Sequence, residues 1–211
     1  MKHILFLVVF LMTVTSVQAA PTTLADILHR RVVATQQPAE ITSADDFLAA
    51  VSRGDTVVLS HVTDVSFLTA TDKFGNNCFH LAKDALTLQT LAAAVRRLVP
   101  EDSFNFISNL RNQRNDMGET PLMRHIMYGR TDTFELLYKN SDLARAIRNV
   151  QTVDKGGALN LAADVMKTQT VLPLSKDNSG RTVAQAALAN RDLPGMASVV
   201  RFFEQNAPYL F

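Results

Sequence analysis

One short pattern recurs in this chain: an Asp or Asn, a glycine three residues on, and then an Ala- and Leu-rich run. It is legible three times, as Asp72-Lys73-Phe74-Gly75-Asn76-Asn77-Cys78-Phe79-His80-Leu81-Ala82, as Asn115-Asp116-Met117-Gly118-Glu119-Thr120-Pro121-Leu122, and as Asp177-Asn178-Ser179-Gly180-Arg181-Thr182-Val183-Ala184-Gln185-Ala186-Ala187. A repeated turn-and-helix unit constrains the fold more than composition does. Each unit is too small to bury its own apolar face and must stack on its neighbours.

Every part of the pattern has a physical role. The carboxylate or amide bonds nearby backbone, and glycine accepts the positive φ that a tight turn requires. Threonine then caps a helix, as Thr120 and Thr182 are placed to do. Pro121 suits the first helical turn, where a missing N–H costs nothing, and Leu122 begins the buried stripe. Gly129 is positioned to end that helix, and Thr131–Lys139 reads as a second one with Phe134, Leu136 and Leu137 facing the core.

These residues resemble the ankyrin repeat, whose hallmark is an Asp-x-x-Gly-x-Thr-Pro-Leu-His-x-Ala run opening a turn and a helix pair. Asn115–Lys139 is the nearest match. His80 stands at the family's histidine position, whereas Met123 and Gln185 depart from it, and Cys78 and Val183 replace the proline. The resemblance implies an all-α ankyrin-repeat solenoid of about four to five degenerate helix-turn-helix repeats, with an N-terminal capping helix and an inserted helix. It also places His80 in the turn network, bonded to neighbouring backbone.

A degenerate fourth unit precedes the three copies: Ser43 and Asp46 as a capping pair, then Phe47-Leu48-Ala49-Ala50-Val51, then Gly54-Asp55. Spacing is irregular, since Gly75 to Gly118 is 43 residues and Gly118 to Gly180 is 62, against about 33 for an ankyrin period. Glu101 to Leu110 is therefore expected to be an inserted short helix. Between the later turns, Asp142–Val150 and Gly157–Met166 read as two helices. They are either a repeat that lost its hairpin or, the preferred reading, a unit opened by a shortened finger at Asp154-Lys155-Gly156-Gly157.

The first residues differ from the rest. Lys2 and His3 precede an apolar run, Ile4–Met12, and then small residues through Val17 and Ala19, the pattern of a secretory signal peptide cleaved after Ala19. A membrane anchor is the competing reading, but the run falls short of the ~20 residues that a spanning helix needs. The expected organisation is a signal peptide over 1–19, a capping helix and loop over 20–42, and the repeat domain over 43–211. Export would place the protein in a periplasm or outside the cell, with no membrane insertion after cleavage.

Of 21 Lys and Arg, only Lys2 lies in that leader, and the others balance the 20 Asp and Glu. Such neutrality argues against nucleic acid or an anionic membrane as the main partner. The single cysteine, Cys78, has no internal partner for a disulfide, so packing must supply stability, and Phe79 and Leu81 beside it point to burial.

Catalytic patterns are scarce. The chain has no Gly-x-Ser-x-Gly elbow, no His-Glu-x-x-His helix and no phosphate-binding Gly-x-x-x-x-Gly-Lys loop. Cys78 and His80 are two potential ligands, too few for a metal site, and His29, His61 and His125 lack supporting spacing. Asp45-Asp46 and Glu101-Asp102 sit at helix starts, where unpaired N–H groups favour negative charge. The expectation is a protein that is not an enzyme and needs no cofactor or metal.

A stacked array of this kind implies protein binding through turn tips and adjoining helix ends. Those positions are Lys73, Phe74 and Asn76 at the first turn, Asp116, Met117 and Glu119 at the second, and Asn178, Ser179 and Arg181 at the third. Helix ends add Met127, Tyr128 and Arg130, with Asp84, Ala189 and Asn190 beside them. Phe74, Met117 and Tyr128 are either interface anchors or residues packed against the inserted helices. The layout further resembles exported bacterial ankyrin proteins that act as self-protection partners of penicillin-binding-protein-like D,D-endopeptidases. That resemblance implies steric capping of a peptidoglycan hydrolase. Alternatives are a periplasmic scaffold or partner of an oxidative-defence enzyme, and a secreted effector that binds host proteins.

Overall fold

Helix boundaries in this protein are set by capping side chains, and most of them follow directly from the sequence. In the computed structural model, which describes residues 40–155 and 160–211, Ser43 accepts from the Asp46 N–H to open α1 (Ala44–Arg53), and Gly54 closes it in the left-handed region. Asp55 caps α2 (Thr56–Ser60) and Asp64 caps α3 (Val65–Leu68). Asn77 and His80 form a reciprocal capping box at α4 (Cys78–Leu81), and Asp84 caps the long α5 (Ala85–Leu98). A 3-10 turn, Pro100–Asp102, leads into α6 (Ser103–Asn112), the helix expected as an insertion. Thr120 and Pro121 start α7 (Pro121–Met127), and a 3-10 turn at Thr131–Thr133 leads into α8 (Phe134–Tyr138).

The remaining helices are α9 (Asp142–Lys155), α10 (Asn160–Met166), α11 (Leu172–Ser175), α12 (Val183–Ala189) and α13 (Met196–Asn206), with a π-helical stretch at Lys167–Val171 joining α10 to α11. Thr182 and Gln185 make a second reciprocal capping box at α12. The described residues are all-helical and contain no strand; two isolated bridges, Thr71 with Asn77 and Lys176 with Thr182, flank the first and third turns.

Packing follows a regular order within the unit Ala39–Phe211. Helix α1 lies on α4, α4 on α7 and α7 on α12, while each carries its following helix: α2 on α1, α5 on α4, α8 on α7 and α13 on α12. Their apolar faces form a single core that runs through Phe47, Leu59, Leu91, Ile126, Leu137 and Phe203. At one end Phe134, Tyr138, Phe202 and Phe203 lock α8 to α13 in edge-to-face contacts with centroids 4.9–5.9 Å apart, a geometry that favours ring quadrupoles. Cys78 is buried, its Sγ 3.6 Å from the Leu68 carbonyl.

Three expectations need correction. The shortened finger expected at Asp154-Lys155-Gly156-Gly157 has no place between the second and third turns: Asp154 and Lys155 belong to α9, and the Asn178 N–H of the third turn donates directly to the Met117 carbonyl of the second, while residues 156–159 lie outside the described residues. Helix α9 is also longer than expected: its buried stripe of Leu143, Ala146, Ile147 and Val150 lies within the expected span, and the helix runs on to Lys155, with Gln151 Nε2 donating to the Asn206 carbonyl at 3.1 Å. Leu136 is 37% exposed instead of facing the core. Helix α8 has only five residues, so it turns Phe134 and Leu137 inward and leaves Leu136 outside. The leader, and residues 20–39 of the capping helix and loop expected over 20–42, lie outside the described residues.

Candidate protein-binding surface

The three turns are the same object made from different residues. In the first, Asp72 Oδ1 accepts from the N–H groups of Phe74 and Asn76, both at 2.9 Å. In the second, Asn115 Oδ1 accepts from Met117 and Glu119 at 3.0 and 2.9 Å. In the third, Asp177 Oδ1 accepts from Ser179 and Arg181 at 3.0 and 2.9 Å. Each turn is closed by a glycine N–H bonded to the carbonyl three residues back, and Gly75, Gly118 and Gly180 have φ of 73°, 75° and 81°. This is the αL region that side chains avoid.

Backbone bonds tie the turns together. The Asp116 N–H donates to the Phe74 carbonyl at 3.0 Å, and the Asn178 N–H donates to the Met117 carbonyl at 3.0 Å. Side chains add to this ladder: Asn115 Nδ2 donates to Asn76 Oδ1 at 2.8 Å and Asn178 Nδ2 to the Asp116 carbonyl at 2.9 Å. Turns separated by 43 and 62 residues in sequence are thus immediate neighbours. Arg114 braces the second and third, donating to the carbonyls of Gly118, Pro173 and Lys176.

Two buried histidines extend the ladder into the core. The Asn77 N–H donates to His80 Nδ1 at 3.2 Å, so Nε2–H donates to the Glu119 carbonyl of the next turn at 3.0 Å. One layer on, His125 Nε2 reaches the Phe79 carbonyl at 3.0 Å and Nδ1 the Thr133 hydroxyl at 2.8 Å. Burial pushes the His80 pKa down to about 4; its bond to Glu119 opposes this. Burial, with the nearby Arg130 charge, takes His125 down to about 3. Both rings are therefore neutral at ordinary pH and serve as connectors. Burial also pushes the Cys78 thiol up to about 12.

The residues expected to meet a partner divide into three groups. Lys73, Phe74, Asp116, Met117, Asn178 and Ser179 are exposed at the turn tips, and Tyr128 is exposed at the end of α7. Phe74, Met117 and Tyr128 are 53%, 61% and 61% exposed, so they do not pack against the inserted helices. Lys73 Nζ lies 5.1 Å over the Phe74 ring, while the Arg124 and Arg130 guanidiniums lie 5.0 and 5.9 Å over Tyr128, which fixes the rings by cation–π attraction. Asn76 and Glu119 are buried and cannot face a partner. Asn76 holds Asp72 and Asn115, and Glu119 Oε2 accepts from Asn115 at 2.8 Å and pairs with Arg124 at 3.3 Å.

Met127, Arg130 and Arg181 are intermediate. Arg130 donates to the Ala82 carbonyl at 2.6 Å; Arg181 pairs with Asp177 at 3.2 Å and donates to Met127 Sδ. Of the flanking positions, Asp84 is spent on capping α5, Asn190 donates to the Met127 carbonyl, and Ala189 is exposed. Sequence reasoning missed Arg124, which underlies both Glu119 and Tyr128; its spacing of four residues before Tyr128, one helical turn, was the available signal.

Among the described residues no group of three or more His, Cys, Asp or Glu is placed to hold a metal, and no helix is long and apolar enough to cross a membrane. Cys78 and His80 point to different carbonyls and do not converge. No family model, curated protein or solved structure matches the chain.

Proposed function

We propose that this chain is an ankyrin-type array of four helix pairs that grips another protein along its stacked turns and the adjoining Tyr128. The observation that carries the reading is the combination of Phe74, Met117 and Tyr128 in solvent with a turn stack held by its own backbone bonds. Large exposed apolar and aromatic side chains on a pre-ordered frame are the features of an interface anchor, because little freedom is lost when a partner covers them. The irregular spacing is accommodated by α6 after the second pair and by α9, α10 and α11 after the third, which leave the turns adjacent.

The target we propose is an exported peptidoglycan D,D-endopeptidase, inhibited by tips that crowd its cleft without any covalent step. Support for this target is the leader-like start of the chain together with the resemblance to exported self-protection ankyrin proteins. A hydrolysis assay with purified endopeptidase and increasing amounts of this protein tests it directly. Activity should fall to a plateau near zero at one equivalent, and a triple Phe74→Ala, Met117→Ala, Tyr128→Ala variant should leave it intact. Full hydrolysis in the presence of a saturating, bound complement of the protein would remove inhibition while leaving binding in place.

A further inference from the structure

On the face formed by the second helices of the pairs, α5 and α8 are unequal. Helix α5 has fourteen residues and α8 has five, so α8 leaves part of the α5 flank uncovered. The inserted α6 walls off the gap without filling it. A cleft of about 330 Å³ results, at the lower end of the ~300–1,000 Å³ range of small-molecule sites. At about 30 Å³ for each water-sized group, it has room for roughly ten.

Its lining is divided. Phe79, Leu88, Ile107 and Leu137 make a buried apolar floor, whereas Arg96, Arg111 and Lys139 contribute three cations against one carboxylate, Glu135. Among the described residues none of these four charged side chains takes part in an ion pair within 4.0 Å. Arg111 Nε is enclosed and has no hydrogen-bond partner, which is rare for a buried donor. Other arginines here find carbonyl partners: Arg97 at Ser60 and Val62, Arg114 at Pro173 and Lys176, and Arg130 at Ala82. Burial and the charge of Arg96 both disfavour the charged form of Arg111, and a bound anion would reverse that effect.

We infer that this cleft is a binding site for a small organic acid, a carboxylate on a short apolar body. A planar guanidinium with unspent donors matches a carboxylate in bidentate geometry, with Arg96 and Lys139 supplying further positive charge. The apolar floor accounts for the rest of the volume, which a bare inorganic anion would leave empty. The site lies apart from the turn tips and does not depend on the partner proposed for them.

The test is two-dimensional NMR of the isotope-labelled full-length protein, titrated with hexanoate and, separately, with hexanol. Hexanoate should shift the amides of Ala92, Arg96, Ile107 and Leu136 saturably, and hexanol at the same concentrations should leave them in place. Arg111→Met, which keeps the aliphatic bulk, should weaken hexanoate at least tenfold in a spectrum that stays dispersed. Arg96→Gln, at an exposed position that leaves the fold intact, should weaken it about threefold. The inference is overturned if hexanoate gives no saturable shift, if hexanol shifts the same amides equally, or if both variants bind as tightly as the parent. Equal affinity for inorganic phosphate, or tighter binding of an end-capped Leu-Glu-Leu peptide, would likewise reassign the cleft.

Discussion

Gly118 and Gly180 occupy the same place in successive turns with nearly the same φ, yet their surroundings differ. A Cβ on Gly118 would come within 2.2 Å of Asn178 Oδ1 and 2.8 Å of the Asn178 backbone nitrogen, whereas one on Gly180 would meet nothing within 4 Å. Gly180→Ala should therefore cost only the αL penalty, about 1–2 kcal/mol. Gly118→Ala should cost that and a further ~1–2 kcal/mol for parting the stacked turns, read as the difference between urea midpoints at constant slope. Burial also sets the pH response. Burial holds the folded pKa values of His80 and His125 at about 4 and about 3, below the ordinary histidine value of 6.5, so the unfolded chain binds more protons than the folded one at mildly acid pH. Stability should be fully present above pH 6.5 and decline as the pH falls toward 4, on the order of 3 kcal/mol per histidine. Asp72 and Asp177, lowered although burial opposes their hydrogen bonds, add a loss of the same sign at still lower pH. Urea melts from pH 7.5 to 4.5 should show the midpoint falling steadily, while a double His80→Gln, His125→Gln variant should show a shallower dependence. Cys78, fully enclosed, should react with Ellman's reagent only as fast as the protein unfolds.

At the level of elements, capping and turn chemistry were the most legible features. Ser43, Thr120, Pro121, Gly129 and the Asp or Asn that opens each turn perform the roles their chemistry dictates, because those roles are local and need no knowledge of neighbours. Asn115 does more than the sequence discloses. Its side chain accepts from two N–H groups and donates to Asn76 and Glu119, so Asn115→Ala should cost about 3 kcal/mol by leaving buried partners unmatched; thermal melts beside Thr120→Ala, a cap worth ~1 kcal/mol, would scale it. What could not be read was non-local. Burial of Asn76 and Glu119 follows from the turn above or below, and both look like tip residues when only their own segment is considered. The same holds for Leu136, whose exposure depends on how little of α8 exists to cover α5. The finger expected at Asp154 was misplaced for a related reason, since Asp-Lys-Gly-Gly is good turn chemistry but Asp154 and Lys155 continue α9 and the second turn is already bonded to Asn178 of the third.

Over the whole molecule, the recurrence of one turn pointed to the all-helical class seen in the described residues, and the uneven spacing pointed to an additional helix where α6 lies. The function lies further from the residues: exposure of Phe74, Met117 and Tyr128 is a property of the folded surface, and the partner proposed to cover them would be another molecule. The central claim is that these three side chains are anchors on a rigid stack, and the most direct measurement is calorimetric titration of purified endopeptidase with the parent protein and with the triple alanine variant. The account predicts one-to-one binding by the parent, a loss of at least thirtyfold in Kd for the variant, equivalent to about 2 kcal/mol, and a Tm within about 2 °C of the parent. Equal affinity of the two proteins for the enzyme would contradict it.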